Sequence, residues 1–172
     1  MTVKNANIGL LQSEKSEPAL QLLKTIAFTH RSTPVKELHR FFLHEENKRE
    51  RLAFIKFSTD INEILYLATC NRIEFVFTTH LACDKRFLAR FFKNFRQDWT
   101  EDDIDFAVNH AEVYEGEDAL RHLYRVASSL DSLVVGEREI ITQVRKAYDS
   151  CYSEGLTGDL LRLVVKSTIT TA

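Results

Sequence analysis

The chain has 172 residues, 44% hydrophobic and 28% charged, and its 23 Lys and Arg against 25 Asp and Glu leave a formal charge of −2. That is the composition of one folded domain, or one and a fraction, long enough to bury roughly 70% of its unfolded surface. Five Gly and two Pro beside 12 Phe and five Tyr exclude collagen-like, propeller and disordered architectures, and the near-neutral balance excludes a grip on nucleic acid by bulk charge alone.

The first twenty residues are polar and aperiodic. Leu20 to His30 then reads as a strand entering the core, ended by Pro34. From Val35 to Phe57 the apolar positions Leu38, Phe41, Phe42, Leu52, Ile55 and Phe57 flank the charged stretch Glu45 to Arg51, which predicts helix with a solvated face. Ile61 to Thr69 is apolar on both alternating faces, the mark of a strand buried on two sides. It stops at Cys70-Asn71-Arg72, and a second strand, Ile73 to Thr79, follows at once. Leu81 to Phe95 sets Leu88, Phe91, Phe92 and Phe95 at helical spacing, with Arg86, Arg90 and Lys93 on another side. The last third is helical, over Glu117 to Leu130 and Glu137 to Ser153. Gly155 stands where a C-cap belongs, and Asp159 is placed to N-cap a further helix that is still running at Ala172. Together these predict an α+β fold, a ferredoxin-like sandwich of a small antiparallel sheet with helices, followed by a helical portion.

The three cysteines, Cys70, Cys83 and Cys151, are odd in number and widely spaced. They support neither a disulfide framework nor a metal pair, and they fit a reducing, cytoplasmic setting. Ile8 to Leu11 is too short for the apolar core of a signal peptide, and no apolar run is long enough to span a membrane. Gly9, Gly116, Gly136, Gly155 and Gly158 lie too far apart to make a phosphate-cradling loop.

Cys70 has two readings: a small apolar filler, as most lone cysteines are, or a nucleophile held at a strand end with Arg72 nearby to favour its thiolate. Thr69-Cys70-Asn71-Arg72 crowds four hydrogen-bonding side chains at the tip of two apolar strands. Such a cluster is either a polar turn or a place where Arg clamps a carboxylate. His122 flanks the apolar stripe of its helix, as a half-buried structural residue or a catalyst. Glu139 and Gln143, one helical turn apart, form a surface pair or a polar wall. Arg86, Arg90 and Lys93, with Lys85 and Arg96, make either a solvated face or a contact for an RNA backbone.

These residues carry a resemblance. Ala68-Thr69-Cys70-Asn71-Arg72 resembles the Ser-Thr-Cys-Asn-Arg segment of the glutamyl-tRNA reductase family, and His122 to Ala147 resembles its signature block almost throughout. Thr29 to Val35 more loosely resembles the family's Asn-His-Lys-Thr-Ala-Pro-Val. The resemblance implies a catalytic domain over residues 1–156 and, over 157–172, the start of a connecting helix. The family's regions for binding NADPH and for dimerisation would follow that helix. It also implies NADPH-dependent reduction of glutamyl-tRNA to glutamate-1-semialdehyde, an early step of tetrapyrrole synthesis, through a thioester on Cys70, with no metal. By the same resemblance Thr69, Asn71 and Arg72 hold the glutamyl group, with Arg72 the carboxylate clamp. Ser132, Glu137, Arg138, Glu139 and Gln143 fall on further substrate-binding positions, and His122 on an activity-sensitive histidine acting near Cys70. Expected partners are glutamyl-tRNA, a second copy of the full-length protein and glutamate-1-semialdehyde aminomutase. Two departures stand out: Gly136-Glu137-Arg138-Glu139 replaces Gly-Glu-Pro-Gln, and Ser129 replaces a glycine. The changes at Arg138 and Glu139 are the only support for an alternative, a tRNA- or partner-binding module of the same fold without the chemistry.

Overall fold

The computed structural model describes residues 17–128 and 139–172. A single turn, α1 (Glu17–Leu20), leads into β1 (Leu23–Thr29); α2 (Val35–Leu38), a 3-10 turn (His39–Phe41) and α3 (Glu45–Ser58) return the chain to β2 (Glu63–Ala68) and β3 (Arg72–Thr78). Then come α4 (Lys85–Phe95), α5 (Glu101–His110), β4 (Glu112–Glu115), α6 (Glu117–Ala127), α7 (Glu139–Ser153) and α8 (Asp159–Thr171). The four strands run antiparallel in the order β2-β3-β1-β4. With helices between β1 and β2 and between β3 and β4, that is the β-α-β-β-α-β arrangement expected of a ferredoxin-like sandwich.

The sheet separates two cores. One face carries Ile26, Phe28, Ile64, Tyr66, Ile73, Phe75 and Phe77 against α2 to α5. Its centre is aromatic: Phe28 stacks on Phe41 at 3.7 Å, and Phe75 meets Phe91 and Phe95 edge to face. The other face packs Leu23, Leu65, Leu67 and Val76 against Leu120, Leu123, Val144, Leu161 and Val164 of α6 to α8. Burial on both sides is why β2 reads as an unbroken apolar run.

Three expectations are corrected. Val35 to Phe57 is not one helix, since Phe42 turns extended (ψ 133°) and splits it. The Tyr66 hydroxyl fixes the break, accepting from Leu43 N at 3.0 Å and donating to Phe41 O at 2.9 Å. Asp159 does not cap α8: Gly158 is the N-cap, and Glu63 of β2 takes the cap's role by accepting from Leu161 N at 3.2 Å. A Cβ on Gly158 would come within 2.8 Å of the Glu63 carboxylate, so a larger residue there would have to push that side chain off the cap. Residues 96–116, given no element from the sequence, hold α5, with a Thr100–Asp103 capping box, and β4. Gly155 does end α7, at φ +74°.

Candidate active site

The β2–β3 turn is tied down by its backbone. Thr69 N donates to Arg72 O at 2.9 Å, His30 N donates to Asn71 O at 3.2 Å, and the Thr69 hydroxyl accepts from Asn71 N at 3.2 Å. Cys70 stands exposed on this turn, while Cys83 and Cys151 are buried. Burial pushes the Cys83 thiol up to about 12 and raises Cys151 as well. The one thiol that a large substrate can reach is therefore the one carried by the rigid turn.

Arg72 belongs to β3 rather than to the turn, and its side chain points onto the face covered by α6. There it is 3% exposed and bonds Glu74, itself fully buried, at 2.8 Å. The other Glu74 oxygen meets His122 Nε2 at 2.9 Å. A carboxylate with no exposure persists only when its oxygens are met, and here a guanidinium and an imidazole meet one each. Because an ionised carboxylate only accepts, Nε2 carries the proton of this bond. The His122 ring stacks on Tyr114 at 4.1 Å and 13°. The Tyr114 hydroxyl donates to Glu112 at 2.8 Å, and the Thr29 hydroxyl donates to the same carboxylate at 2.7 Å. Burial acts to raise Glu112, but hydrogen bonds from Thr29, Ser32 and Tyr114 and the nearby His122 outweigh it and hold the carboxyl below its usual range.

This network lines a cavity of about 50 Å³ whose wall also includes Arg31 and Arg125. That is room for one carboxylate-sized group or a water, among three guanidiniums. A larger cavity of about 420 Å³ lies at the Ala68 end of β2, walled by Phe42, Lys48, Tyr66, Gln143 and Ser150 among others. Gln143 thus faces a cleft two residues short of Cys70, and Glu139 lies exposed one turn before it at the start of α7. Ser132, Glu137 and Arg138 lie outside the described residues, as does Ser129.

Arg72 and His122 are therefore brought together, through Glu74. No hydrogen bond among the described residues joins Cys70 to His122. Glu74, Glu112, Tyr114, Arg31 and Arg125 were not singled out from the sequence. Glu74 leaves a signal there, as the lone acid in the run Ile73 to Phe77, whereas Glu112 and Tyr114 sit in a stretch that shows no strand pattern.

Fold and site define an α+β domain that presents an exposed cysteine on a rigid turn beside a buried, charged pocket. The family described as glutamyl-tRNA(Glu) reductase, N-terminal domain, matches residues 26–172. Glutamyl-tRNA reductase of Deinococcus radiodurans is 36% identical over 153 residues, covering 89% of this chain and 40% of that protein. That of Campylobacter hominis is 34% identical over 146 residues, covering 84% and 33%. The solved structure of glutamyl-tRNA reductase from Methanopyrus kandleri superposes with a TM-score of 0.66 at 30% identity, over 87% of this chain and 33% of that one. The chain belongs to the glutamyl-tRNA reductase family and corresponds to its N-terminal domain. It spans about a third of the length of most of these relatives.

Proposed function

We propose that this chain performs the acyl-transfer half of a glutamyl-tRNA reductase, with Cys70 as nucleophile. The observation that supports it is the placement of an exposed thiol on a hydrogen-bonded turn two residues from Arg72, whose guanidinium lines a carboxylate-sized cavity. A glutamyl group spans roughly 5 Å from its ester carbonyl to its side-chain carboxylate, and the Cα atoms of Cys70 and Arg72 lie no more than about 7 Å apart along the chain. The carboxylate enters among Arg31, Arg72 and Arg125 while the carbonyl stays at the turn. The Cys70 thiolate then attacks the carbonyl carbon: a C–S bond forms, the C–O bond to the terminal ribose breaks, and the ribose oxygen takes a proton and leaves with the tRNA. The His122–Glu74 pair holds the pocket's electrostatics and orients the bound glutamyl group.

In the reading carried by the resemblance, NADPH supplies the hydride that turns the thioester into an aldehyde. The residues described here do not fit that cofactor, because no strand-to-helix loop among them gathers the glycines a pyrophosphate needs. The wider role, tetrapyrrole synthesis with glutamyl-tRNA as substrate, rests on the names of the relatives.

Brief incubation with glutamyl-tRNA, an acid quench and intact-mass measurement test the reading. A glutamyl adduct mapped to the Cys70 peptide and absent from Cys70→Ser is the expected result. An adduct that persists in Cys70→Ser removes Cys70 from its role; tRNA binding with no adduct leaves the binding module instead.

A further inference from the structure

Two acids share one row of the sheet. Ala27 of β1 pairs with Glu74 on one side and with Glu112 on the other, so all three face α6. The His122 ring bonds Glu74 on β3 and stacks on Tyr114 of β4. It therefore bridges β3 and β4 across β1, the strand that holds Ala27. Either acid has the chemistry to capture a ring N–H. The bond goes to Glu74, and the two oxygens of Glu112 accept from the hydroxyls of Thr29 and Tyr114, one each.

We infer that Glu112 and Tyr114 are positioning residues for His122: hydroxyl bonds from Thr29 and Tyr114 engage both Glu112 oxygens, Tyr114 holds the imidazole flat, and together they keep Nε2 committed to Glu74. Thr29 strengthens the arrangement, since it fixes Glu112 from the central strand. The depressed Glu112 carboxyl agrees with it, because an ionised acid is a permanent acceptor that has to be occupied if it is not to compete. Removing the Tyr114 hydroxyl leaves one Glu112 oxygen without that partner, on the strand whose Tyr114 ring stacks on the imidazole. The pull on the imidazole then comes from both sides.

The inference touches the proposed function through His122, and its test separates the two. The chain is labelled with nitrogen-15 in its histidine rings and examined near neutral pH, His122 being assigned by the loss of its signals in His122→Gln. Expected for the unaltered chain is one tautomer with the proton on Nε2. Tyr114→Phe, which keeps the ring and its stacking, shifts His122 to a mixture of tautomers and slows acylation of Cys70 by glutamyl-tRNA at least about tenfold. Adding Glu112→Gln, which removes the competing charge at equal size, returns His122 toward Nε2–H. Unchanged His122 signals in Tyr114→Phe overturn the inference, as does a shift that Glu112→Gln fails to reverse. If the tautomer behaves as expected and Cys70 is never acylated, the positioning stands and the proposed chemistry falls.

Discussion

A side chain of one carbon at Ala27 decides what its neighbours can do. Ala27 is fully buried in the space between Glu74 and Glu112, on the face covered by α6 that carries His122. A larger residue would occupy that space, so Ala27→Leu is expected to cost about 1–3 kcal/mol by overpacking and to part His122 from Glu74. A urea titration checks the first effect and the Cys70 adduct assay the second, with the adduct lost while the folded baseline remains. The contrast in legibility at this site is physical. Cys70 and Arg72 neighbour each other in the chain, and His122 stands on a helix stripe, so local pattern reaches them. Glu74, Ala27 and Glu112 become one row only when three strands pair, and Tyr114 needs β4 before it can meet a histidine. The sequence also hides that Arg72 faces inward, which β3 decides by its alternation.

Among the elements, the break between the 3-10 turn and α3 has a cause outside the segment itself. Nothing in Phe42-Leu43-His44 resembles a breaker, and the apolar spacing through Val35 to Phe57 suits a continuous helix. The hydroxyl of Tyr66, on a strand that forms later in the chain, supplies the partners that a continued helix would have provided. Tyr66→Phe leaves Leu43 N–H and Phe41 C=O buried without a partner, at a cost of about 1–3 kcal/mol. A lowered urea midpoint, with protection from hydrogen exchange lost at Leu43 first, checks this. The same logic explains the start of α8, where Asp159 offers an ordinary cap but Glu63 reaches in from β2. β2, β3 and α4 were legible because their apolar patterns are long and regular. β4 was not, being four residues of which two are glutamates.

At the scale of the whole molecule, the sheet is a wall between an aromatic core and a second core that turns polar at one end. Glu112 ties that polar end together, bonding β1 through Thr29 and standing beside His122 of α6. A carboxyl held below its ordinary range adds stability that is complete above the unfolded value, about 4.3 for glutamate, and is lost as pH falls through the lower folded value. The urea midpoint is therefore expected to stay level as pH falls toward 5 and to drop below about 4. Glu112→Gln should flatten part of that drop, and an identical acid slope in the variant would assign the loss to other groups.

Glu112 has one more consequence, through its position on an outer strand. An open sheet invites a second chain to add itself at either border, and long, flat, apolar borders are the ones that do so. Here β4 ends one border after four residues, with a glutamate turned inward and Glu115 ion-paired to Lys24. At the other border, Ile64 N already donates to Leu156 O at 2.8 Å, and α7 packs along β2. One border is short and charged and the other is partly covered, so both blunt strand-by-strand addition even though the strands are among the most apolar segments of the domain.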